Sequence, residues 1–135
     1  MKVKSGAFRH IEAEIHSYHE TVKEINRRRE ELLSKPTEEL VGGRPNTPGD
    51  PTGSIVARLV DDKRLMELER IAYAIETVYN TLDNEYRELV RVYYWTRPQT
   101  LTWDGIAMKL NVSRRTALRR RKEIVQAIGE RLGWH

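Results

Sequence analysis

Residues 101–131, LTWDGIAMKLNVSRRTALRRRKEIVQAIGER, decide the fold. They read as helix, tight turn, helix. Thr102 is placed to cap the first helix, and Asp104 falls in its first turn, where a negative charge meets the unpaired N–H groups favourably. Leu101 and Ile106 have the N′-to-N4 spacing of a hydrophobic staple. Ile106, Ala107 and Leu110 form one apolar face. Asn111 tolerates the left-handed backbone that ends a helix. Val112 then plugs inward, and Ser113 caps the next helix.

The second helix has two unlike faces. Ala117, Ile124, Ile128 and Leu132 recur at helical spacing and are expected to face the core. Arg114, Arg115, Leu118, Arg119 and Lys122 fall on the other side, which suits a helix lying in a major groove. Arginine pairs bidentately with guanine O6 and N7, both basic types neutralise phosphates, and Leu118 can meet a thymine methyl. A plain helical bundle with a solvated basic face is the competing reading. Solvated faces usually mix signs, however, and residues 114–122 hold basic side chains without a single acid. The layout is that of a helix-turn-helix.

Charge is distributed accordingly. The 135-residue chain carries a net charge of +4. Residues 101–135 contribute 8 Lys and Arg against 3 Asp and Glu, whereas residues 1–100 contribute 16 against 17. A basic reading part joined to a neutral remainder is the electrostatic footprint of a nucleic-acid binder. The length suits one compact domain, or a small domain with an extension. The absence of cysteine excludes disulfides and thiolate metal sites. No apolar run approaches the ~20 residues a membrane span needs. The opening MKVKSGAFRHIEAE lacks the apolar core of a signal peptide, so a cytoplasmic location in a bacterial host cell is expected, with no membrane partner.

Upstream, residues 5–34 are expected to form one long helix. Phe8, Ile11, Ile15, Tyr18, Val22, Ile25 and Leu32 keep a seven-residue repeat, with Arg29 in the missing slot. Glu24 and Arg28 stand four apart in the favourable order. So long a helix with so narrow a stripe needs a partner helix, from this chain or a second copy. His10, His16 and His19 lie on it. They flank the seam rather than converge with further ligands, so no metal site is expected. The run Arg27, Arg28, Arg29 is followed at once by Glu30 and Glu31 and reads as a solvated helix end.

The segment PTEELVGGRPNTPGDPTGS holds four of the five prolines and half of the eight glycines. It reads as a flexible loop over 35–53. It lacks a phosphate-cradling GxxxxGKS/T pattern, so Gly42 and Gly43 do not mark a nucleotide site. Thr52 or Ser54 can cap a second long helix ending near Leu82, with a bend or exposed turn at 61–64. Leu65, Leu68, Ala72, Ile75, Tyr79 and Leu82 form its stripe, widened by Ile71 and Val78. Its length matches the first helix, as an antiparallel hairpin requires. Asp83 or Asn84 starts a third helix whose core face is Tyr86, Leu89, Val90 and Tyr93, ending at Trp95 and Pro98. Trp95 and Trp103 are expected as packing anchors rather than base-stacking aromatics. Gly133 stops the last helix.

With these residues in place, two resemblances emerge. The stretch from Leu82 to Arg120 resembles the promoter-reading fourth region of bacterial sigma factors, whose T-x-x-x-I-A-x-x-L-x-V-S-x-x-T-A unit is matched from Thr102 to Ala117; Gly105 stands where Glu is common there. Across most of the chain the sequence looks like the RinA family of phage transcriptional activators. That likeness rests on IEAEIHSY at 11–18, the Gly- and Pro-rich break, YYW at 93–95, and LTWDGIAMKLNVSRRTALRR. The resemblance implies an activator of late operons, which encode packaging and structural proteins. It places the recognition helix on Ser113, Arg114, Arg115, Arg119 and Lys122.

The sequence therefore predicts an all-α protein: a long antiparallel helical hairpin over 1–82 that joins subunits, and a tri-helical helix-turn-helix domain over 83–135. Expected base-reading residues are Ser113, Arg114, Arg115, Leu118, Arg119 and Lys122. Expected phosphate contacts are Thr102, Lys109, Thr116, Arg120 and Arg121. The expected partners are double-stranded DNA, a second copy of the chain as a dimer, and RNA polymerase as a further candidate, with no cofactor. A small terminase subunit that assembles into a DNA-packaging ring is the main rival, and a helical adaptor for an acidic protein is the second. An enzyme is not expected, because no carboxylate pair or Ser/His/Asp set converges.

Overall fold

The structure, a computed structural model, describes residues 3–34, 57–59 and 62–135. The described residues are helical, with no strand among them. The helices are α1 (Ser5–His16), α2 (Tyr18–Ser34), α3 (Lys63–Thr81), α4 (Asn84–Leu89), α5 (Trp103–Leu110) and α6 (Arg114–Leu132), with a π-helical turn at Val90–Tyr94. The expectations for the loop 35–53, and for Thr52 or Ser54 as a cap, lie outside the described residues.

The chain packs as two compact units, Met1–Tyr18 with Ile71–His135, and His19–Arg70. This grouping differs from a boundary at residue 83. The first helix and the second half of α3 share a core with the C-terminal helices. That core joins Ile11 and Ile15 of α1 to Ile71, Ile75 and Val78 of α3, to Leu89, Val90 and Tyr94, and to Ile124, Val125, Ile128 and Leu132 of α6. Each fully buried Ile or Leu contributes roughly 1.5–3 kcal/mol. The seam residues Phe8, Tyr18, Tyr79 and Leu82 pack against its edge.

The long N-terminal helix expected over 5–34 is broken at Ser17, which sits at φ −91° and ψ 5°. Distant donors take the carbonyls that would continue the ladder. Trp95 Nε1 donates to the Ile15 carbonyl at 3.0 Å, and the Arg97 guanidinium donates to that of His16. An interrupted i-to-i−4 ladder of this kind bends or breaks a helix.

The helix after Asp83 also departs from regularity. Asp83 is its N-cap, as the sequence suggests, but after Leu89 the chain adopts the π-helical turn. A π turn inserts an extra residue and re-aims those that follow. Tyr94 is fully buried as a result, and Trp95 reaches Tyr18 and Tyr79, with ring centroids at 5.4 and 5.0 Å. Gln99 donates to the Val92 and Tyr93 carbonyls and so satisfies the end of the turn. Trp95 and Trp103 are packing anchors, with Trp103 lying 4.4 Å from Tyr93 between centroids.

In the second unit, Ile25, Leu65 and Leu68 are buried. Asp62 caps α3 by accepting from the Leu65 N–H at 2.9 Å and holds Arg28 at 3.0 Å. Those contacts, the Leu65 N–H foremost, keep its carboxyl below the usual range. Arg29 pairs with Glu69, and Arg58, itself buried, donates to the Leu32 carbonyl at 2.8 Å. Glu24 pairs with Arg28 at 3.9 Å and with Arg27 at 2.8 Å, so the arginine run is largely matched by neighbouring acids.

Candidate nucleic-acid interface

The turn between α5 and α6 is fixed by its own residues. Thr102 Oγ1 accepts from the Gly105 N–H at 3.2 Å and closes the first turn of α5. Asn111 adopts φ 61° and ψ 40°, the left-handed conformation that releases the chain from the helix. The Val112 N–H returns to the Ala107 carbonyl at 3.0 Å. Ser113 Oγ accepts from the Thr116 N–H at 3.1 Å and donates to Thr116 Oγ1 at 2.9 Å. A cap of this type contributes about 1 kcal/mol and sets the direction of the helix it starts. At the far end Gly133, at φ 75°, terminates α6.

Ile106 and Ala107 of α5, and Ala117, Ile124, Val125, Ile128 and Leu132 of α6, are buried. The opposite face of α6 presents Arg115, Leu118, Arg119 and Lys122 at the i, i+3, i+4 and i+7 positions. Arg115 and Lys122 are exposed and carry no ion pair or hydrogen bond to any described residue. Arg114 Nε lies 3.7 Å from Asp104 on α5, with both side chains well exposed, so the pair is weak. Arg119 Nε lies 3.6 Å from Glu123. Lys109 is exposed in the last turn of α5, next to Met108, which is 81% exposed.

Arg120 and Arg121 meet side chains of other helices. Arg120 is half-buried, with its guanidinium carbon 5.4 Å from the centre of the Tyr86 ring. Arg121, expected from the sequence at a phosphate, is engaged inside the protein. Its Nε and Nη2 donate to Glu12 of α1 at 2.7 Å each. Its guanidinium also lies 5.2 Å from Phe8, 5.9 Å from Tyr93 and 5.0 Å from Trp103. The Tyr94 hydroxyl donates to the same carboxylate at 2.7 Å. Glu12 is only 9% exposed, so the pair is largely desolvated and its geometry is of the strong, bidentate kind. Arg121 is held charged more firmly than an ordinary arginine, chiefly by the hydrogen bond to Glu12. Burial first, and then the Glu12 charge, push the Tyr94 phenol well above its ordinary range.

Sequence reasoning missed Glu12, although a signal for its partner exists. Arg121 falls in register with Ala117, Ile124 and Ile128, and a charge on a core stripe requires an opposite charge. Tyr86 was expected only as core. Its hydroxyl donates to Glu123, which raises its pKa, and its ring lies under Arg120. His10 and His16 serve packing: His10 stacks on Trp134 at 4.2 Å, and His16 Nδ1 lies 3.3 Å from the Tyr94 carbonyl.

Residues 11–130 match the family described as "Protein of unknown function (DUF722)". The protein "Transcriptional activator rinA" of Staphylococcus phage phi11 is 25% identical over 135 residues, covering 97% of this chain and 94% of that protein. No solved structure matches.

Proposed function

The chain belongs to the family described as "Protein of unknown function (DUF722)" and is RinA-like in sequence, and from that premise we propose that it is a sequence-specific DNA-binding transcriptional activator of phage or prophage late genes. One observation carries the DNA-binding part: Arg115 and Lys122 stand exposed and unpaired on the outer face of a capped helix whose inner face is buried. Cations kept without internal partners on a fixed helix are available to phosphates and base edges.

In this reading the N-terminal half of α6 enters the major groove. Ser113, Arg114, Arg115, Leu118, Arg119 and Lys122 face base edges. Thr102, Lys109, Thr116 and Arg120 hold the backbone and set register. Arg121 is left out, because it is committed to Glu12. The chain acts as a dimer, which gives an inverted-repeat site with half-sites roughly 34 Å apart or a multiple of that. Bound near a promoter, it raises polymerase occupancy.

The test is a gel shift of the full-length protein against tiled fragments of its own genome, with competitor DNA, at two salt concentrations. One fragment retained at the higher salt and lying upstream of a late operon is the expected result. Retention of a fragment within packaging genes, together with a ring of eight or more chains in native mass spectrometry, would replace activation by a packaging role. Loss of all binding as salt rises would leave no sequence-specific function.

A further inference from the structure

Two neighbouring arginines of α6 are tied to one residue of another helix, Arg120 directly and Arg119 through Glu123. The Tyr86 hydroxyl of α4 donates to the Glu123 carboxylate, and Glu123 in turn lies 3.6 Å from Arg119 Nε. The Arg120 guanidinium sits over the same tyrosine ring, 5.4 Å from its centre. Tyr86 is partly buried and packs against the core, while its hydroxyl end stays exposed.

An arginine on an open helix face samples many rotamers, and docking on a base removes that freedom. A carboxylate at Nε narrows the choice. It lies 3.6 Å from the Nε side, a weak pull that biases the guanidinium and leaves the Nη edge, which guanine O6 and N7 can receive. Glu123 is itself about half exposed and free to swing, unless something pins it. The Tyr86 hydroxyl is the group placed to do so. Glu123 also sets a negative charge beside Arg119, which disfavours a loose approach to any phosphate.

We propose that Tyr86 is a positioning residue for base reading: through Glu123 it holds Arg119 in place for a guanine, while its ring supports Arg120. This rests on the DNA-reading function proposed above. Tyr86 contributes to discrimination between sequences and little to general attraction for DNA.

The test uses the full-length protein and a duplex enriched by that protein from a random-sequence pool, compared with a scrambled duplex of equal length and composition. Tyr86→Phe removes only the hydroxyl and keeps the ring under Arg120. It is expected to reduce the ratio of the two dissociation constants about threefold to tenfold, with the salt slope unchanged. In an Arg119→Ala background the same substitution is expected to change nothing further. Glu123→Gln serves as the second variant should Tyr86→Phe lower the melting temperature. It is expected to reduce discrimination and to strengthen binding to the scrambled duplex. Undiminished discrimination in both variants would overturn the proposal. So would an equal loss with and without Arg119, or a salt slope shallower by about one, which would point to a phosphate contact. If no duplex is enriched at all, the DNA-reading function falls and this proposal falls with it.

Discussion

Arg121 and Arg115 lie six residues apart on α6 and meet opposite surroundings. Arg121 is gripped by both oxygens of Glu12 and walled by Phe8, Tyr93 and Trp103. Arg115 is exposed and touches no described carboxylate. The same side-chain type thus serves anchorage on one face and availability on the other. The contrast assigns roles by environment rather than by residue type. It implies that the anchoring face governs folding, while the open face can change with little effect on stability.

The sharpest way to break this comparison is to remove the anchor. Glu12→Ala leaves the Arg121 charge largely desolvated and without its partner, an arrangement that costs about 3–5 kcal/mol when a buried pair loses one member. Arg121 keeps a quarter of its side chain accessible, so the lower end, about 3 kcal/mol, is expected. Urea denaturation with an unchanged m-value would measure it. A loss below about 1 kcal/mol would mean that the aromatic walls hold Arg121 without the carboxylate, and the anchoring role would then pass to packing.

Next in size is a test of how closely α1 lies on α6. A Cβ added at Gly129 would stand 2.7 Å from Ile11 Cδ1 and 2.8 Å from the Trp134 carbonyl oxygen. The side chain can give way, but the backbone oxygen cannot do so easily. Gly129→Ala is therefore expected to destabilise by about 2 kcal/mol, against the usual gain for replacing a helical glycine. A stabilised variant in thermal melts would show that α1 does not sit this close in solution.

These two sites also mark where the sequence was legible. Thr102, Asn111, Ser113 and Gly133 announce helix ends through local chemistry, and each plays that part. Ala117, Ile124, Ile128 and Leu132 announce a buried stripe, and all four are buried. The break at Ser17 could not be read locally, because its cause lies at Trp95 and Arg97, about eighty residues away. The π turn ends on Tyr94, whose hydroxyl reaches Glu12 in another helix, a contact that is likewise non-local. Arg121 carries two signals: its spacing belongs to the buried stripe, where it meets Glu12, while its type suggests DNA. The open face is legible as a pattern, while what it touches is not written in it.

A smaller effect separates the anchor's members. Tyr94→Phe removes the hydroxyl that donates to Glu12, and is expected to cost about 1 kcal/mol near neutral pH. Its signature is the pH dependence. The folded protein holds the Tyr94 proton well above the ordinary value of 10.0, whereas the unfolded chain releases it near that value. Above pH 10 the folded state therefore binds more protons, and stability falls as pH rises. This group contributes a slope of about 1.4 kcal/mol per pH unit until its folded pKa is passed. The variant should lose that part of the alkaline slope. Identical slopes for the two proteins between pH 10 and 11 would show that Tyr94 ionises without leaving its place.

The smallest expected effect on folding comes from the open face, and it decides whether the comparison holds. Arg115→Ala and Lys122→Ala remove exposed cations that make no ion pair or hydrogen bond with any described residue. Surface changes of this kind usually stay within about 0.5 kcal/mol, so both variants should melt with the wild type. Their binding to DNA should nevertheless weaken. A cation that reads a base loses discrimination, and one that meets a phosphate makes the salt slope shallower by about one. A variant that melts normally and binds DNA normally would remove that residue from the interface. A variant that melts several degrees lower would show that the open face carries folding energy after all, and the division of labour on α6 would have to be abandoned.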